Sequence, residues 1–151
     1  MTLMLSTFIQ IILFTLGSAL LIYSGIQDKK TRNPYLLIPA LMAIGLSAGL
    51  ITFLIVTIAC VIIYLLPKKV NKILGKADIL LLMAILIITI IHENTIVAIL
   101  MYVSLALMIL LLIMVKKTSQ QVPLIYYYSI THAITILITT IMTIGILIGR
   151  M

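Results

Sequence analysis

Residues 95–115 read TIVAILMYVSLALMILLLIMV, and Lys116-Lys117 follow at once. No residue in that run carries a formal charge. A helix needs about 20 mostly apolar residues to cross the hydrocarbon core of a bilayer, so the stretch predicts a membrane-spanning helix. Working outward, the same pattern predicts five more spans, at 3–26, 35–48, 50–66, 77–91 and 123–149. The apolar runs are unbroken and lack strand-like alternation, which excludes a strand barrel. The runs at 35–48 and 77–91 are short for a full crossing, and segments of that length start inside a loop or cross a thinned region. The expected fold is all-α: a polytopic membrane protein with about six transmembrane helices, forming one membrane-embedded domain over 1–151.

Composition agrees. Hydrophobic residues make up 64% and charged residues 9% of the 151, where a soluble domain carries about 25% charged residues. The single Cys60 lies inside an apolar run and reads as a small packing residue. The connections after the first, third and fifth spans are basic: Lys29, Lys30 and Arg32; then Lys68, Lys69, Lys72 and Lys76; then Lys116 and Lys117. Those after the second and fourth are the tiny Ser47-Ala48-Gly49 and His92-Glu93-Asn94. Of all the basic residues, only Arg150 falls opposite. The positive-inside rule makes the basic side cytoplasmic, with both termini outside. The net charge of +7 is then accounted for by topology and by contact with anionic lipid headgroups, with no nucleic acid required.

Asp28 and Asp78 are the only aspartates, and Glu93 is the only other acid. Each aspartate sits where positive charge meets a long apolar segment, and an ionisable residue there is a functional-site hypothesis by default. Asp28 follows the first span in Tyr23-Ser24-Gly25-Ile26-Gln27-Asp28-Lys29-Lys30-Thr31-Arg32-Asn33-Pro34. It stands at a helix C-terminus, where the dipole disfavours negative charge. Asp78 opens the fourth span in Gly75-Lys76-Ala77-Asp78, where the dipole favours it. That asymmetry suits a pair divided into one protonated acid and one ionised base. The structural reading of the same residues is a helix cap at Asp78 and a lysine-paired interfacial carboxylate at Asp28.

At these motifs the chain resembles the type IV prepilin peptidases and archaeal preflagellin peptidases, membrane aspartic proteases with a six-helix core. Gly75-Lys76-Ala77-Asp78 is similar to their Gly-x-Gly-Asp motif, with Ala for the second glycine. Asp28 and the basic stretch after it resemble the region of their first aspartate. Asn33-Pro34 departs from their Ile-Pro-Asn segment, and Leu80 stands where many members have lysine. The resemblance implies hydrolysis of one peptide bond in a prepilin-like or preflagellin-like precursor, on the cytoplasmic side, with Asp28 and Asp78 catalytic. Gly75 and Ala77 are small enough to let backbone approach a substrate closely, or they only end one segment and begin the next; the resemblance tips Gly75 toward substrate contact. It implies no metal or organic cofactor and, without the cysteine-rich loop of bacterial members, no methyltransferase activity.

Other candidates are weaker. His92 and Glu93 read as a polar turn, and His132, near Thr131 and Thr135, as a hydrogen-bonded structural histidine. Tyr126-Tyr127-Tyr128 predicts an interfacial aromatic belt, and Val122-Pro123-Leu124 a proline at a helix start. Two other classes compete: a small proton- or cation-coupled transporter or channel subunit, and a structural membrane subunit.

Overall fold

The computed structural model describes residues 2–31, 34–65, 75–115 and 123–149. Among the described residues there are six helices and no strand: α1 (Thr2–Thr31), α2 (Leu37–Ala48), α3 (Leu50–Leu65), α4 (Lys76–Ile90), α5 (Thr95–Val115) and α6 (Leu124–Ile148). Arg32, Asn33, Lys68, Lys69, Lys72, Lys116, Lys117, Val122 and Arg150 lie outside the described residues.

Stretches of α1, α5 and α6 are long and apolar enough to cross a membrane: Ser6–Thr31, Thr95–Met114 and Leu124–Ile148. The protein is therefore an all-helical membrane protein. The other three helices are shorter, and α2, at 12 residues, extends only about 18 Å against a hydrocarbon core of about 30 Å.

Five helices match the predicted spans to within a residue or two; α1 does not. It continues five residues beyond Ile26, so Asp28 is inside the helix rather than after it. The span reading ended where hydropathy falls. The helix continues because Gln and Lys are good helix formers, and Lys29 and Lys30 in the last turn complement the C-terminal dipole.

The helices close into a ring in which each packs on its chain neighbours and α6 returns to α1. The short α2 also touches α4 and α5, and seven of its 12 residues are buried. Its inward residues Leu37, Leu41 and Ile44 join Leu21, Leu81, Ile85, Ile88 and Met101 in the apolar core. Outward faces remain apolar, as at Phe8, Ile12, Ile58, Leu86, Ile113 and Ile144. Such faces suit lipid tails, which are as apolar as the side chains they meet.

Close backbone approach sets the α1–α2 contact. A Cβ added at Gly17 would lie 2.7 Å from Ile44 Cγ1 and 2.9 Å from Ile44 N. Small residues at membrane helix crossings serve this purpose.

One end of the ring is laced by hydrogen bonds. The N–H groups of Glu93 and Asn94 both donate to the Ala48 carbonyl, at 2.8 and 3.0 Å. The Thr52 hydroxyl donates to the Ile91 carbonyl, and the Asn94 amide donates to Gln10 Oε1 at 3.3 Å. These bonds gather the start of α1, the α2–α3 turn and the α4–α5 turn at that end. His92 accordingly belongs to a polar turn, its Nδ1 3.1 Å from the Thr89 carbonyl.

The α2–α3 turn depends on Gly49, whose φ of 145° is a region that side-chain-bearing residues rarely adopt. An added Cβ would also lie 2.6 Å from the Glu93 carboxyl carbon. Gly49→Ala is expected to cost about 1–3 kcal/mol through backbone strain. A thermal midpoint in detergent unchanged from wild type would refute this.

Candidate active site

The two aspartates lie at the end of the ring opposite the laced one. At that end the Lys29 ammonium, near the end of α1, donates to Tyr126 Oη at 3.1 Å in the first turn of α6. It also sits 4.5 Å from the centre of that ring. Similarly, the Lys76 ammonium at the start of α4 donates to the Tyr64 carbonyl at the end of α3, at 3.2 Å. The C-termini of α1 and α3 thus share an end with the N-termini of α4 and α6, and that end carries both Asp28 and Asp78.

Asp28 is buried, with 6% of its surface exposed. It lies on the inward stripe of α1 with Ser18, Leu21, Ser24 and Gln27, all of them buried. Positions 21, 24 and 28 fall on one helical face by their spacing of three and four. The Lys29 ammonium, on the next residue, meets the hydroxyl and the ring face of Tyr126.

What presses α1 onto α6 is Gly25. A Cβ there would lie 1.9 Å from Ser129 Oγ and 2.6 Å from Ser129 Cβ. Gly25→Ala is expected to destabilise by about 1–3 kcal/mol, the usual cost of overpacking. Adding Ser129→Gly should recover part of the lost thermal midpoint. No recovery would mean that the two helices do not meet there.

Asp78 is the third residue of α4, and its Oδ2 accepts the Gly75 N–H at 3.2 Å. It therefore caps the helix from within the first turn, where the dipole favours its negative charge. Gly75 is exposed, and among the described residues a Cβ added there would meet only the Asp78 carboxylate within 4 Å. Ala77 is part-buried and packs on the apolar core.

The acid-bearing helices α1 and α4 are bridged by α2 and α6, each of which packs on both. Asp28 thus faces inward from the C-terminus of one helix, and Asp78 stands in the N-terminal turn of another. Among the described residues, no three His, Cys, Asp or Glu side chains gather as a metal site.

Two features at or below this end differ from the sequence reading or escaped it. First, Ser24 Oγ and Gln27 Oε1 are buried without a hydrogen-bond partner. Their signal was a polar i, i+3 pair, one turn before and adjacent to Asp28. Second, Tyr128 is no belt residue. It is fully buried, with its hydroxyl 3.3 Å from the Met101 carbonyl, while Tyr126 and Tyr127 are part-buried. Three consecutive helical residues cannot share one face. His132 is the hydrogen-bonded structural histidine expected: it is fully buried between two serines, with Nε2 3.0 Å from Ser18 Oγ and Nδ1 3.1 Å from Ser104 Oγ. Ser104 donates its one hydrogen to the Leu100 carbonyl at 2.6 Å, so it accepts from Nδ1–H and Ser18 donates to Nε2.

In comparisons with known proteins, no family model, no curated protein and no solved structure matches this chain.

Proposed function

We propose that the protein is a membrane aspartic endopeptidase that removes a basic leader from a prepilin-like or preflagellin-like precursor. The observation that carries this reading is the position of Asp28 and Asp78. They are the chain's only aspartates, and they lie at one end of the ring on opposite kinds of helix terminus. Asp78, favoured as an anion by the α4 N-terminus, takes the proton of the attacking water. Asp28, enclosed at the disfavouring end of α1, gives its proton to the carbonyl oxygen; as the gem-diol collapses, Asp78 passes the water proton to the leaving amine and Asp28 recovers a proton from the diol hydroxyl. The water oxygen bonds to the carbonyl carbon and the C–N bond breaks. The basic connections put this end on the cytoplasmic side, with both termini outside, by the positive-inside rule.

The test is co-expression with a panel of such precursors, scored for leader removal by mass spectrometry. Wild type, Asp28→Asn and Asp78→Asn are compared at matched membrane levels. Cleavage by wild type alone supports the reading. No cleavage by folded wild type removes it.

A second reading has one observation in its favour. The chain Ser18–His132–Ser104 places hydrogen-bonded polar groups of α1, α5 and α6 within the core, as a proton- or cation-coupled transporter or channel subunit requires. Liposomes carrying a pH-sensitive dye distinguish it. That reading predicts proton flux that Asp28→Asn and His132→Ala abolish.

A further inference from the structure

Two buried polar groups beside Asp28 have no use within the described fold. Ser24 is fully buried and Gln27 is 9% exposed, and both Ser24 Oγ and Gln27 Oε1 lack a hydrogen-bond partner. Leaving such groups unsatisfied is costly, and a native structure that retains them calls for an explanation. They stand one turn before Asp28 and immediately next to it, on the same inward stripe of α1. Their chemistry is complementary: the amide oxygen accepts an N–H, and the hydroxyl donates to a carbonyl. An extended polypeptide backbone offers both groups at short intervals. A cation would suit the oxygens as well, but Lys29 and Lys76 lie at the same end of the ring.

We propose that Ser24 and Gln27 form a ledge that hydrogen-bonds the backbone of an extended peptide segment next to its scissile bond, holding that bond against Asp28. Gln27 accepts an N–H of the segment and Ser24 donates to one of its carbonyls. This rests on the peptidase reading above and adds to it the residues that bind the substrate main chain. They are positioning residues, not catalytic ones. Because they read backbone, they tolerate changes in the precursor's side chains.

The test uses the full chain in detergent or liposomes with Gln27→Met, Ser24→Ala and the double variant. Each is measured for KM and kcat of leader removal and for thermal midpoint. Each single variant is expected to raise KM at least fivefold with kcat within about twofold, and the double variant to raise it further. Thermal midpoints are expected to rise, because each substitution removes an unsatisfied buried group. A fluorescent precursor should also bind the Asp78→Asn protein less tightly when Gln27→Met is added. A wild type that cleaves, with KM unchanged in Gln27→Met and Ser24→Ala, sinks the ledge alone. A lowered midpoint with unchanged KM does so too, since it assigns both groups to the fold. A wild type that cleaves no precursor sinks the peptidase reading and the ledge with it.

Discussion

Asp28→Asn and Asp78→Asn are each expected to lower the rate of leader removal by about 10²–10⁴-fold, the usual contribution of a general acid or base. The loss should be chemical rather than structural. An asparagine at position 78 keeps a side-chain oxygen that can accept the Gly75 N–H, so the start of α4 survives. At position 28 the substitution replaces a carboxyl group, buried at a helix end that disfavours its charge, with a neutral isostere. Both variants should therefore insert and fold, and their turnover is compared at matched membrane levels. The double variant should be about as inactive as either single one, because two groups sharing one proton inventory act as a unit. Activity within tenfold of wild type in either single variant would remove the two-carboxylate mechanism.

His132→Ala is expected to produce the largest loss of stability, about 3–5 kcal/mol by analogy with truncation of large buried rings. His132 packs edge-on to Phe14 and parallel to Tyr128, with ring centres 5.9 Å away in both cases. Removing it opens a cavity between α1, α5 and α6 and deprives Ser18 and Ser104 of their partner. Hydrogen bonds between membrane helices average only about 0.6 kcal/mol, so lost packing carries most of the cost. For a chain of this size, 3 kcal/mol corresponds to a midpoint about 6–12 °C lower. His132→Gln, which keeps bulk and hydrogen-bonding capacity, should recover part of the loss. A midpoint for His132→Ala within 2 °C of wild type, that is about 1 kcal/mol or less, would contradict the observed packing.

The fold was largely legible in the sequence because membrane helices announce themselves locally. Charges, Pro123, Gly49 and the His92-Glu93-Asn94 turn separate the apolar runs, and the helix limits follow those marks. The end of α1 was misplaced because hydropathy reports where lipid contact stops, and helical hydrogen bonding continues through Gln27 and the lysines. Which face of each helix turns inward was harder to see. In a bilayer both faces are apolar, so the periodicity that betrays a core in a soluble helix is nearly flat. Asp28 and Asp78 stood out by rarity and by standing where positive charge meets an apolar run. Ser24 and Gln27 did not, since small polar residues are ordinary in such helices, and His132 was read as structural without its partners. The His132 partners are also distant in the chain, with Ser18 114 residues away.

The lacing of one end has a mechanical consequence for the other. The α4–α5 turn is pinned to Ala48, Thr52 and Gln10, which makes that end a pivot and α4 a lever. With 15 residues rising about 1.5 Å each, the lever is about 22 Å long, so a tilt of about 10° carries its tip about 4 Å. Asp78 rides on that tip. A small rotation at the pinned turn, far from any substrate, is enough to change the separation of the carboxylates by more than a bond length. In the proposed peptidase, rate and hinge stiffness would thereby be joined, and residues such as Glu93 and Asn94 become places where a substitution would tune turnover without touching either aspartate.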